Sequence, residues 1–319
     1  MRISGFTFMR NTDKLYYPLA ESIQSILPIV DEFVIALAKG DADDQTESII
    51  STIQSSKIKI IRTEWDVNKF PGGTEFAHQT DIAKMACNGD WLFYLQSDEV
   101  VHEKYLEPIK NYCSKYLADP MVEGFLFSYK HFFGDYEHFI ESHAWYPKEI
   151  RIIRNNENIH SWGDAQSFKY ISNFDENRSY GKRIDTRLLN VIKIPAEIYH
   201  YGWVRPPHLM QTKSKAMNMM YHNASRIEEE YANKSINFDY GCLANLSLFK
   251  EEHPSLMSDF ISKFNWRDQL HYESNYKVDR ALMKHEKLKY RILSWIENKL
   301  LAGKMLFGYR NWKIVTKRK

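Results

Sequence analysis

Four short stretches of this chain place oxygen and nitrogen donors where an apolar run stops. Met9, Arg10 and Asn11 follow the run Ile3 to Phe8, and Asp41, Asp43 and Asp44 sit in KGDADDQT after Glu32 to Ala38. Glu64 and Asp66 close a third run that starts at Lys57, and Gln96, Ser97, Asp98 and Glu99 follow Trp91 to Leu95. Carboxylates gathered in this way suit a divalent cation, because Mg²⁺ or Mn²⁺ takes one or two protein carboxylates and fills its remaining positions with substrate phosphate oxygens. A glycine-rich dinucleotide fingerprint is missing, since Gly40 stands alone and Gly72 and Gly73 have no third glycine in register, and there is no P-loop. The chemistry expected is therefore a nucleoside diphosphate held through a metal.

The elements that must carry these residues alternate. ISGFTF, EFVIALA, KIKIIRTEW and WLFYL read as strands, separated by helical segments in YYPLAESIQSIL, DQTESIISTIQ and TEFAHQTDIAKMAC and followed by a helix from about His102 to Leu117. Asp44 and Glu47 have capping-box spacing at the second helix. This β-α-β-α order predicts an α/β fold with a mostly parallel sheet covered by helices, and ligands of such sheets bind outside the carboxyl ends of the strands.

The order of these stretches resembles the family 2 glycosyltransferases of GT-A fold. The resemblance rests on a first strand followed by Arg10 and Asn11, the acidic turn GDADDQT, a helix ending in Ala86 to Asp90, and YLQSDEV where that family carries its metal motif. It spans roughly the first 105 residues. The resemblance implies inverting transfer of a sugar from a nucleotide-activated donor to an acceptor hydroxyl. It also implies that Asp41, Asp43 and Asp44 lie near the base and ribose and that Asp98 carries Mn²⁺ or Mg²⁺. Arg10, Gln96 and Ser97 belong to the same donor-binding set. Gln96 departs from the pattern, because an amide stands where the family usually has aspartate.

A lone carboxylate holds a divalent ion weakly, which directs attention to HYGWVR. There His200 follows the strand-like VIKIPAEIY and reaches a sheet end as a second metal ligand, a donor that suits Mn²⁺ better than Mg²⁺. Arg205 is expected to meet the diphosphate. The base that takes the acceptor proton is expected at Asp164, in the polar aromatic turn HSWGDAQ, with Glu149 at the start of EIRIIR as the alternative. The aromatic segment Ser128 to Pro147 reads either as a sugar-stacking cleft or as the core of a hairpin, and Met217, Met219 and Met220 read as core filler.

Composition limits the remaining classes. The chain has 319 residues, 44% of them hydrophobic, enough for a large core, and divides on its motifs into a GT-A-like part, 1 to 205, and a helical C-terminal extension, 206 to 319. Cys87, Cys113 and Cys242 are too few and too scattered for a disulfide framework or a zinc site. No apolar stretch of signal-peptide or membrane-spanning length appears, so a cytoplasmic protein is expected. From Lys284 to Lys319 eleven Lys and Arg stand against Glu286 and Glu297, a local +9 in a chain of net +2. With Leu288, Ile292, Trp295, Ile296 and Leu300 at helical spacing, this tail reads either as a helix lying on the inner face of an anionic membrane or as a helix packed on the body with a solvated basic side. The basic residues do not continue into the body, which argues against nucleic acid as a partner. A glycan or lipid-linked acceptor fits the whole pattern. Two alternatives stand beside it: a sugar nucleotidyltransferase, disfavoured because FTFMRNTDK lacks glycines, and a non-catalytic nucleotide-sugar-binding protein, favoured only by Gln96.

Overall fold

The apolar runs become the strands of one sheet. A computed structural model describes residues 1–301, 305–306, 308 and 310–315. In its first half β1 (Ile3–Met9), β2 (Glu32–Ala38), β3 (Ile58–Thr63) and β4 (Trp91–Tyr94) alternate with α1 (Leu19–Ile26), α2 (Thr46–Thr52) and α3 (Thr74–Met85), and β5 (Glu99–Val101) and α4 (Leu106–Lys115) follow. Strands β3, β2, β1 and β4 are neighbours in that order and all parallel. Every residue of β2 is buried, which explains why EFVIALA reads as a continuous apolar run rather than an alternating one. The α1 helix buries Leu19, Ile23 and Ile26 on one stripe.

The second half continues the sheet with mixed polarity. β6 (Gly124–Phe133), β7 (His138–Ile140) and β8 (Lys148–Arg154) join it, with β8 antiparallel to both β4 and β6. A small separate sheet holds β9 (Ile159–Trp162), β10 (Ser167–Ile171) and β11 (Thr186–Arg187). The long β12 (Leu189–Trp203) runs parallel to β6 and antiparallel to β5. After it come α5 (Pro207–Tyr221), α6 (Ala224–Ala232), β13 (Ser247–Leu248), α7 (Ser258–Ser262), α8 (Leu288–Leu300) and β14 (Trp312–Ile314). The residues beyond 205 are thus tied into the main sheet: β13 pairs with β7, and β14 lies parallel to the start of β12.

Two local expectations change. The capping box at α2 is not formed: the Asp44 carboxylate accepts from the Thr46 backbone N–H and hydroxyl, while Glu47 turns away to a bidentate pair with Arg62. The aromatic segment divides between its two readings. Phe132, Phe133, Tyr136 and Phe139 are buried in the β6–β7 hairpin core, whereas Trp145 and Tyr146 reach the cleft described below.

The α8 helix is turned with its polar side inward. Ser294 and Glu297 are buried, and Ser294 Oγ accepts from the His143 backbone while Glu297 lies 2.7 Å from the His143 ring. Leu288, Ile292, Trp295 and Leu300 point to solvent and are each more than half exposed. The terminal KRK lies outside the described residues. Among the described residues no helix is long and apolar enough to cross a membrane.

Candidate functional site

The carboxyl ends of β1 and β4, the end of β12 and the inner face of α5 surround a cleft of about 420 Å³. Arg10, Gln96, Ser97, Asp98, Asp164 and His200 all line it, so six of the residues expected from the sequence come together. Phe8, Trp65, Phe76, Trp145, Tyr146 and Trp203 supply aromatic wall.

Asp98 sits at the turn between β4 and β5, 8% exposed, with Oδ2 at 3.6 Å from His200 Nε2 and 3.4 Å from Lys213 Nζ. Burial alone would raise its carboxyl, but His200, Lys213 and Arg205 nearby hold it far below the ordinary carboxylate range. Lys213 also donates to the Gly202 carbonyl at 2.6 Å, and burial together with the Arg205 charge brings its amine down to about 7. The backbone passes this cluster closely: a Cβ at Gly202 would lie 2.5 Å from both Asp98 Oδ2 and His200 Nε2, so any side chain there would push one of them aside.

Beside Asp98, Glu99 has a different role. It is fully buried in a bidentate pair with Arg151, at 2.7 and 2.8 Å, and accepts further from the Tyr129 hydroxyl and the Gln96 backbone. Its oxygens are used internally. Gln96 anchors the same turn, accepting from Ser22 Oγ on its carbonyl and bonding Tyr94 with its amide.

A buried histidine sets the orientation of His200. His131 Nε2 lies 2.7 Å from the Tyr146 carbonyl and must carry the proton there, while its Nδ1 is 3.0 Å from His200 Nδ1. Burial first, then the neighbouring His200, holds the His131 imidazole well below its usual pKa and therefore neutral, so its Nδ1 is an acceptor. His200 Nδ1–H is the donor. His200 Nε2 then faces Asp98, either as an N–H paired to the carboxylate or as a lone pair that shares a cation with it. An imidazole nitrogen oriented by its other nitrogen, next to a buried carboxylate, is a donor set that fits Mn²⁺.

Other expected residues are placed elsewhere. Arg205 does not line the cleft; it is fully buried beneath Tyr17 and gives its guanidinium to the Leu15 and Gly202 carbonyls. Glu149 is also buried, held by Gln166 Nε2 at 2.8 Å, and faces a different cavity. Asp41, Asp43 and Asp44 do not line the cleft. Lys14 bridges Asp41 and Asp43 at 2.7 Å each, and Asp44 is tied to the backbones of Asn11 and Thr46. Asp41 and Asp44 instead border a depression of about 530 Å³ with Glu47, Arg62 and Glu64. Arg10 connects the two hollows: it lines the cleft, donates to the Lys39 carbonyl and lies over the Trp65 ring.

Asp164 sits on the turn between β9 and β10, flanked by Gly163 and Ala165 at positive φ. One oxygen accepts from the Tyr221 hydroxyl at 3.0 Å. Another acidic group, Asp135, Glu137 and His138, lies in the β6–β7 turn outside the cleft, and Asp135 is consumed by backbone N–H groups and the Tyr272 hydroxyl.

Sequence reasoning missed Lys213, His131 and Tyr17; Met217 and Met220, read as core filler, pack against the core and also line the cleft. For Lys213 a signal exists: it falls three residues after Met210 and four before Met217, which puts a lysine on the buried stripe of α5.

No protein-family model matches the chain, and no curated protein matches it. Among solved structures the chain is similar to TarS of S. aureus, at 14% identity and TM-score 0.38, over 73% of this chain and 43% of that one. It is similar also to glucosyl-3-phosphoglycerate synthase from Mycobacterium tuberculosis, crystallised with Mn²⁺, UDP-glucose and glycerol 3-phosphate, at 19% identity and TM-score 0.28, over 41% of this chain and 44% of that one. Mannosyl-3-phosphoglycerate synthase from Rubrobacter xylanophilus gives 18% identity and TM-score 0.27, over 41% of each chain. This chain thus spans less than half the length of these three.

Proposed function

We propose that the protein is an inverting glycosyltransferase that moves a sugar from a nucleoside diphosphate donor to a hydroxyl of a glycan or lipid-linked acceptor. The observation that carries this reading is the pairing of Asp98 with an oriented His200 on the wall of an aromatic cleft that also exposes Asp164. Asp98 and His200 would hold Mn²⁺, which when bound neutralises charge on the leaving diphosphate. Lys213 adds an amine donor at the same wall, and Trp65, Trp145 and Trp203 offer faces on which base and sugar rings stack.

Transfer forms a bond between the acceptor oxygen and the anomeric carbon as the bond to the diphosphate oxygen breaks. The electron pair leaves with the nucleoside diphosphate, and the acceptor proton passes to the Asp164 carboxylate, which the Tyr221 hydroxyl holds in place. In a panel of nucleotide sugars, one donor is expected to release its nucleotide faster with Mn²⁺ than without. The absence of metal-stimulated release from every donor would rule out the enzyme reading. With that donor identified, Asp164→Asn should lose transfer while nucleotide affinity stays; equal loss of both would make Asp164 structural.

A membrane-apposed location at the cytoplasmic face is supported by the outward apolar row of α8 beside Lys289, Arg291 and Lys299. In flotation with vesicles containing anionic lipid, the full chain should rise with the vesicles and Ile292→Glu/Trp295→Glu should stay behind. Equal behaviour removes the membrane from the proposal.

A further inference from the structure

A second cavity of about 710 Å³ adjoins the cleft, and Trp145, Tyr146, Asp164 and Gln166 belong to the walls of both. Four buried polar atoms in residues of its wall have no hydrogen-bond partner: Glu149 Oε2, Trp162 Nε1, Ser167 Oγ and Asn311 Oδ1. Ser167 and Asn311 stand close enough to Glu149 to lower its carboxyl, so these three groups face one another without good hydrogen-bond geometry and Trp162 Nε1 stands apart; buried polar groups are normally satisfied, and a polar occupant among them completes the set. Glu149 is 3% exposed and Ser167 likewise. These atoms include both donors and acceptors, which suits hydroxyls, since a hydroxyl donates and accepts at once.

Charge narrows the class. Lys148, Lys284 and Arg310 line the same space, and none has a carboxylate within ion-pair distance among the described residues. Burial, followed by repulsion from Lys193 and Arg310, lowers the Lys148 amine, as expected of cations gathered without an anion. Trp145, Trp162 and Trp312 give the cavity apolar faces of the kind that pack against sugar C–H groups.

We propose that this second cavity holds the acceptor, and that the acceptor is a phosphorylated sugar or polyol. Its hydroxyls satisfy Glu149, Trp162, Ser167 and Asn311, its phosphate meets Lys148, Lys284 and Arg310, and its reacting hydroxyl reaches Asp164 at the shared wall. This rests on the glycosyltransferase reading and gives Glu149 a part in holding the acceptor rather than in taking its proton.

The test measures binding of glucose 6-phosphate, glucose, inorganic phosphate and the diester glycerophosphoinositol to the full chain by ligand-observed NMR, with UDP affinity in Mn²⁺ measured on the same samples. Glucose 6-phosphate should bind at least ~10-fold tighter than glucose, the scale of a charge-assisted contact. Lys148→Ala/Arg310→Ala should remove that advantage while UDP affinity stays, and Glu149→Gln should weaken both sugars but not inorganic phosphate. A tighter diester would identify a phosphate-linked polymer or headgroup as the source, and a tighter monoester a free sugar phosphate; either upholds the class. Equal affinity for glucose and glucose 6-phosphate, phosphate binding as tightly as the sugar phosphate, or unchanged affinities in the variants would overturn it. Failure of UDP to bind any sample marks failure of the donor reading instead, which is thus read separately.

Discussion

The turn after β4 and the turn after β2 both present adjacent carboxylates at the carboxyl end of a parallel strand, yet they spend their charge differently. After β2, Asp41 and Asp43 are closed by Lys14 and Asp44 by backbone N–H groups of its own and the neighbouring turn. After β4, Glu99 is closed by Arg151, while Asp98 faces a cleft between groups that belong to distant elements, His200 and Lys213. Carboxylate density in the sequence therefore does not mark the cleft end of the sheet. What sets Asp98 apart is that it faces the cleft and its partners, His200 and Lys213, line the same cleft.

The contrast is broken most severely at Glu99. Glu99→Gln should destabilise the fold by about 3–5 kcal/mol in urea unfolding, because it leaves Arg151 buried and unpaired. Replacing both partners, Glu99→Leu with Arg151→Met, should recover most of that loss; failure to recover would show that Glu99 does more than neutralise. Glu149 supplies the opposite case, a buried carboxylate without a paired cation, whose carboxyl burial pushes up from 4.5 to about 7. The folded state therefore holds a proton that the unfolded chain releases above about 4.5, so this stability is present at low pH and fades as pH rises through about 7. The span corresponds to on the order of 3 kcal/mol. Glu149→Gln should flatten that part of the pH–stability curve, and an unchanged slope would contradict the assignment.

Asp98→Asn should leave a folded protein with metal-stimulated turnover reduced at least ~100-fold, measured as nucleotide release. The same change at Asp41 should leave the metal response intact; if it abolished it, the two turns would not differ as described. Asp44→Ala should cost about 1–2 kcal/mol through its lost backbone hydrogen bonds, read as a shifted unfolding midpoint. Asp43→Ala, at an exposed position with Lys14 still satisfied by Asp41, should change neither midpoint nor turnover.

Much of this was legible without coordinates. The four parallel strands follow from their apolar runs, and the meeting of Asp98 and His200 at one cleft follows from the rule that such sheets gather residues at the ends of their strands. Arg205 was misplaced because that rule does not say which way a side chain turns: β12 shifts register between His200 and Trp203, and the chain beyond it carries Arg205 back under Tyr17. The alternation in EIRIIR does not say which cavity each face borders, and Glu149, expected as the alternative base, faces the second one. His131 was invisible because a histidine inside SYKHFF looks like any polar interruption of a buried strand. The β14 strand has only three residues, too short for periodicity, and its pairing with β12 depends on contacts remote in sequence.

That late pairing has a consequence for how the molecule is made. During synthesis from the N-terminus, β1 to β12 can assemble long before Trp312–Ile314 emerge, leaving the Leu189–Val191 edge of β12 without its parallel neighbour. An unpaired edge is a docking place for other nascent chains, so the interval before residue 314 carries an aggregation risk that this pairing ends. Asn311 and Trp312 also wall the second cavity, which means that a ribosome-bound intermediate has its cleft before it has its second chamber. Ligands for the two compartments should accordingly rescue folding at different lengths of chain.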